Sequence, residues 1–146
     1  MLKFITALKT LLLGAVLATS LQAHAQAQPA IKVVYHMSEG IPQASRAIGN
    51  IRNHLAADPT AKIVVVTHGA GIDFLLDGAN NTAGQSFAGA IGDLAAKGVE
   101  FRVCNNTLVA RNIDPAKVAM EAKVVPSGVA EVARLQAREG HAYLRP

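Results

Sequence analysis

The chain is short of several things that would fix its class outright. It has 146 residues but a single cysteine, Cys104, and no tryptophan, and aromatic residues make up 4%. One cysteine excludes an intramolecular disulfide, so a covalent staple does not hold the domain together. Charged residues make up 16% and are scattered, with 14 basic against 10 acidic. Nucleic-acid binding calls for a clustered basic stripe with interleaved aromatics, and none is present. The apolar run Leu11-Leu-Leu-Gly-Ala-Val-Leu-Ala18 is shorter than the roughly 20 residues that span a bilayer.

What is present begins with a leader pattern. Lys3 and Lys9 precede that apolar run, and Ala23-His-Ala25 follows as a small-x-small cleavage site. Basic start, short apolar stretch and small-residue site arrive in the order of a secretory signal peptide. Residues 1–25 are therefore expected to be cleaved, which places the protein in the periplasm or outside the cell. Cleavage removes Lys3, Lys9 and no acidic residue, so the net charge falls from +4 to +2. No membrane association is expected after cleavage. Residues 26–30 read as a short tail, and 31–146 as one α/β domain.

Within that domain the hydrophobic period switches repeatedly. Ile31-Lys-Val-Val-Tyr-His36 reads as a strand, and residues 42–57 repeat apolar groups at helical spacing behind Pro42. Lys62-Ile-Val-Val-Val-Thr67 is a continuous apolar run, as in a strand buried on both faces. A short helix is expected around 72–76 and a longer one over 84–97. Val99-Glu-Phe-Arg-Val-Cys104 reads as a third strand and 123–125 as a fourth. A last helix is expected over about 128–139, with 141–144 adding an edge strand. Alternation of this kind predicts a three-layer α/β/α sandwich with a mostly parallel sheet of four or five strands.

In open parallel sheets ligands bind at the carboxyl ends of the strands. Those ends carry His36, His68-Gly69, Cys104-Asn-Asn-Thr107 and Pro126-Ser-Gly128. Two histidines and the only cysteine thus fall on one edge. Cys104, His36 and His68 are the expected catalytic group, and Gly69, Asn105, Asn106 and Thr107 the expected ligand-binding residues. Cys104 precedes a predicted helix start, where unpaired N–H groups favour a thiolate. The competing reading is a buried, inert cysteine acting as a small hydrophobe. A lone cysteine in an oxidising compartment is a liability unless buried or used. His54 reads as a surface residue of the first helix, and Asp73 and Asp77 as solvating a short helix. Gly69-Ala-Gly71 lacks the third glycine of a dinucleotide loop and sits on the second strand, not the first. Single Cys and His residues on separate strands give no metal-ligand spacing, so no metal and no cofactor are expected.

Several segments together are similar to a known family. Lys32-Val-Val-Tyr-His36, Val64-Val-Val-Thr-His-Gly69, Gly98-Val-Glu-Phe-Arg-Val-Cys-Asn-Asn-Thr-Leu108, Val124-Val-Pro-Ser-Gly-Val-Ala-Glu-Val-Ala-Arg-Leu-Gln136 and Glu139-Gly-His-Ala-Tyr143 resemble the DsrE/DsrF-like family. The resemblance implies the three-layer fold and assembly into homo-oligomers. It also implies sulfur chemistry, because some cytoplasmic relatives carry a persulfide on the cysteine matching Cys104. The leader is a departure from those cytoplasmic settings. The resulting expectation is an exported carrier of sulfur or a thiol-redox protein, an accessory rather than a turnover enzyme. Its partners would be small sulfur species or a thiol-bearing protein. Two alternatives stand beside it: a metal or small-ligand binding module using copper or zinc, and a homo-oligomeric interaction protein.

Overall fold

Alternating apolar strands and amphipathic helices fold here into layers. The computed structural model describes residues 29–146. The leader and most of the tail lie outside the described residues. β1 (Lys32–Met37), β2 (Lys62–Thr67), β3 (Glu100–Cys104), β4 (Ala122–Val125) and β5 (Ala142–Leu144) form one sheet in the order β4-β3-β2-β1-β5. Every neighbouring pair is parallel. The helices are α1 (Ile41–Ala57), α2 (Phe87–Ala96), α3 (Asn105–Ala110) and α4 (Gly128–Glu139), joined by 3-10 turns at Gly69–Leu75 and Pro115–Lys117.

The two faces of the sheet are unequal. Side chains alternate along a strand, so Val33, Tyr35, Met37, Ile63, Val65, Phe101 and Val103 share one face. α1, α2 and the first 3-10 turn cover them with Ala44, Ile48, Ile51, Ile72, Phe74, Ile91 and Leu94. The opposite face presents Val34, Val64 and Val66, and α4 covers them with Val132 and Leu135 alone. The single α4 helix leaves the carboxyl end of this second face to polar side chains.

Local chemistry sets the element ends. Pro42 in the first turn of α1 gives up an N–H that has no helical partner there. Ser127 starts α4 by accepting the Ala130 N–H, and Gly140 closes it at φ +72°. The helix expected over 84–97 begins only at Phe87. The Asn81 side chain accepts the N–H groups of Ala83 and Gln85, and this turn holds 83–85 out of the helix. The short helix expected at 72–76 is a 3-10 turn starting at Gly69. Gly71 explains how it fits: a Cβ there would lie 2.3 Å from the Met37 carbonyl oxygen. Only glycine lets this turn lie directly on the end of β1.

Among the described residues no helix is long and apolar enough to cross a membrane.

Candidate functional site

The carboxyl ends of β1, β2 and β3 meet the turn between β4 and α4. Cys104 is the last residue of β3 and the N-cap residue of α3, and is 4% exposed. Burial raises its pKa. That effect is outweighed by the Gly128 N–H, the Thr107 hydroxyl and N–H, and the Asn106 N–H, so the thiol sits below its ordinary value. Thr107 does two jobs. Its Oγ1 accepts the Gly69 N–H at 3.0 Å, which leaves its hydroxyl proton for the sulfur. The turn after β2 is thereby tied to the start of α3.

Gly128 brings the remaining wall in. A Cβ on Gly128 would meet Thr67 O at 3.0 Å, Cys104 Cβ at 3.1 Å and His68 Cβ at 3.2 Å. The Cβ atoms of Cys104 and His68 are therefore no more than about 6.3 Å apart, the last two distances laid end to end. Both residues line an open cleft of about 350 Å³ with Gly69, Asn106, Thr107 and Arg111. Ser127 and the exposed Val129 complete its rim. Arg111 donates to the Gly69 carbonyl at 3.2 Å and pairs with Asp73 Oδ1 at 2.6 Å. Asp73 was expected only to solvate a helix; it anchors the one cation of the cleft instead.

His36 and His68 form a second cluster that opens onto this cleft. Their Nε2 atoms are 2.6 Å apart, and His36 Nδ1 is 2.7 Å from the Tyr143 hydroxyl on β5. Burial, then the neighbouring charges of His68 and Arg145, holds the His36 imidazolium below its usual pKa. Arg145 itself pairs with Glu39 at 2.6 Å.

Cys104, His68, Gly69, Asn106 and Thr107 thus share one cleft, as their strand ends suggested. His36 reaches it only through His68. Asn105 is half-buried on α3, outside the lining. His54, read as a surface residue, bonds the Tyr35 hydroxyl at 3.0 Å. Tyr143, Arg111, Asp73 and Gly128 were not foreseen as site residues. Their roles depend on long-range contacts, and only the Pro126-Ser-Gly128 strand end carried a signal. Among the described residues no three His, Cys, Asp or Glu side chains are placed to hold a metal ion.

A fully parallel five-stranded α/β domain, with a lone thiol at its carboxyl edge, defines the structural class. Within that class the chain belongs to the DsrE/DsrF-like family, whose model matches residues 31–146. The solved structure of MTH1491, a protein of unknown function from Methanobacterium thermoautotrophicum, is 32% identical with a TM-score of 0.71. It covers 80% of this chain and 99% of its own. The ychN protein of E. coli shares the fold at 13% identity, with a TM-score of 0.63 and coverage of 80% and 98%. No curated protein matches the chain.

Proposed function

We propose that this protein is an exported sulfur carrier whose Cys104 accepts sulfane sulfur as a persulfide. The observation that carries the reading is the thiol's setting. At the wall of an open cleft, the Gly128, Asn106 and Thr107 N–H groups and the Thr107 hydroxyl surround it and lower its pKa against the effect of burial. A thiolate is the nucleophile in sulfur transfer, and a lowered pKa makes more of it available near neutral pH. The same donors would stabilise a persulfide anion on that sulfur.

The transfer is a displacement without net oxidation. The Cys104 thiolate attacks the outer sulfur of thiosulfate; the new S–S bond forms as the old one breaks, and sulfite leaves with the bonding pair. A second thiol-bearing protein would take the sulfur by the same reaction. Family membership supports the fold and the position of the cysteine in this reading. Export after loss of residues 1–25 belongs to the proposal, as does homo-oligomer assembly.

Intact mass after incubation with thiosulfate or polysulfide tests it. The wild-type protein should gain the mass of one sulfur atom, lost again on reduction, and Cys104→Ser should gain none. An unchanged wild-type mass, or the same gain in Cys104→Ser, overturns the proposal.

A further inference from the structure

Tyr143, His36 and His68 form an unbroken hydrogen-bonded line from the edge of the sheet to the Cys104 cleft. Tyr143 is 41% exposed at the outer end. His68 lines the cleft at the inner end. The residues come from three neighbouring parallel strands or their ends, β5, β1 and β2. The 2.6 Å contact joins two Nε2 atoms, so one proton must lie between them. That condition couples the whole line. If Tyr143 donates to His36 Nδ1, then His36 donates to His68, and His68 keeps its proton on Nδ1. If His36 donates to Tyr143, every bond reverses and His68 Nδ1 becomes an acceptor.

We propose that this line is a proton relay serving the cleft, and that it fits Cys104 to take sulfur from persulfides of thiols. The inference rests on the sulfur-carrier reading and names its donor class. In the step, the Cys104 thiolate attacks the outer sulfur of R–S–SH. A Cys–S–SH bond forms, the donor S–S bond breaks, and the thiolate RS⁻ leaves with the electron pair. RS⁻ takes the Nδ1 proton of His68. His68 takes the proton of His36 on Nε2, His36 takes that of Tyr143 on Nδ1, and Tyr143 recovers one from solvent. Sulfane sulfur is transferred, no group is oxidised, and the protein ends with the line reversed. A leaving thiolate with an ordinary pKa near 8.5 gains from such a proton at neutral pH. Sulfite leaving thiosulfate is a weaker base than the thiolate and gains less from the same proton.

The charges around the line favour a neutral relay over a fixed cation. Arg145 faces His36 from beyond β5 and is paired with Glu39. Arg111 lies across the cleft and is paired with Asp73. Cys104 faces His68 across Gly128. On α4, Glu131 is held by Arg102 and Arg134. Burial, then the neighbouring charges of His68 and Arg145, opposes a standing imidazolium at His36. The line then passes protons by exchanging tautomers.

The test compares two donors, glutathione persulfide and thiosulfate, by quenched-flow intact mass. The readout is the ratio of their sulfur-loading rates onto Cys104. In His36→Gln and in Tyr143→Phe, each checked for folding by thermal melting, this ratio should fall by about tenfold. A purely structural role would slow both donors together and leave the ratio unchanged. A wild-type ratio in either folded variant overturns the relay, as does wild-type loading from thiosulfate alone. Loading of the wild type from neither donor overturns the sulfur-carrier reading itself.

Discussion

Gly128→Ala adds one methyl group where three parts of the site converge. The new Cβ would stand 3.0 Å from Thr67 O, 3.1 Å from Cys104 Cβ and 3.2 Å from His68 Cβ. Carbon atoms in good contact sit about 3.5–4.0 Å apart, so each neighbour must retreat by several tenths of an ångström. Thr67 and Cys104 are strand ends held in the sheet register, and His68 follows β2 directly. Overpacking of this kind costs about 1–3 kcal/mol. Against it stands the lower unfolded-state entropy of alanine, worth about 0.4–1 kcal/mol. The clash wins by about 1–2 kcal/mol, which lowers the melting temperature by roughly 5 °C for a domain of this size. The same displacement pulls the Gly128 N–H from the Cys104 sulfur. The thiol pKa should therefore rise toward the ordinary value near 8.5. Calorimetry gives the first number, and the pH profile of iodoacetamide alkylation gives the second. A variant as stable as wild type with the same alkylation profile would show that Gly128 does not shape the site.

Two further outcomes concern the frame around the site. Gly71→Ala puts a Cβ 2.3 Å from the Met37 carbonyl oxygen, against backbone that cannot swing aside. It should cost more than about 3 kcal/mol, at the upper end of overpacking effects, and chemical denaturation would reveal it as loss of most of the folded population at moderate urea. Glu131 is held by Arg134 and then Arg102, and its pKa falls from 4.5 to about 2. A depressed carboxylate pKa gives stability that is present above the unfolded value and lost as pH falls through the folded one. Stability should drop by about 1–2 kcal/mol from above pH 4.5 down to about 2, after allowing for screening at the exposed Arg134. Glu131→Gln should flatten that limb of the acid titration, and an unchanged limb would place the acid sensitivity elsewhere.

Much of this molecule follows from short-range pattern. The apolar runs at 31–36 and 62–67, the helical spacing behind Pro42 and the Ser127 and Gly140 caps each act within a few residues, so the strand ends could be read with no partner in view. Those ends already gathered His36, His68 and Cys104 on one edge. The helix over 84–97 started late because the Asn81 side chain competes for two N–H groups, a local contest that apolar spacing does not register.

Tertiary structure decided the rest. Strand order β4-β3-β2-β1-β5 puts β5, last in the chain, beside β1, first among the strands. That crossing alone brings the Tyr143 hydroxyl to His36, 107 positions away. Packing of α4 brings Gly128 against Cys104, where its N–H lowers the thiol pKa, and the fold of the β2 turn supplies Thr107 with the Gly69 N–H. A sequence alone names the lone thiol and the edge it occupies. The reactivity of that thiol depends on donors from α3 and α4 meeting beside the end of β3, and short-range pattern carries no information about such distances.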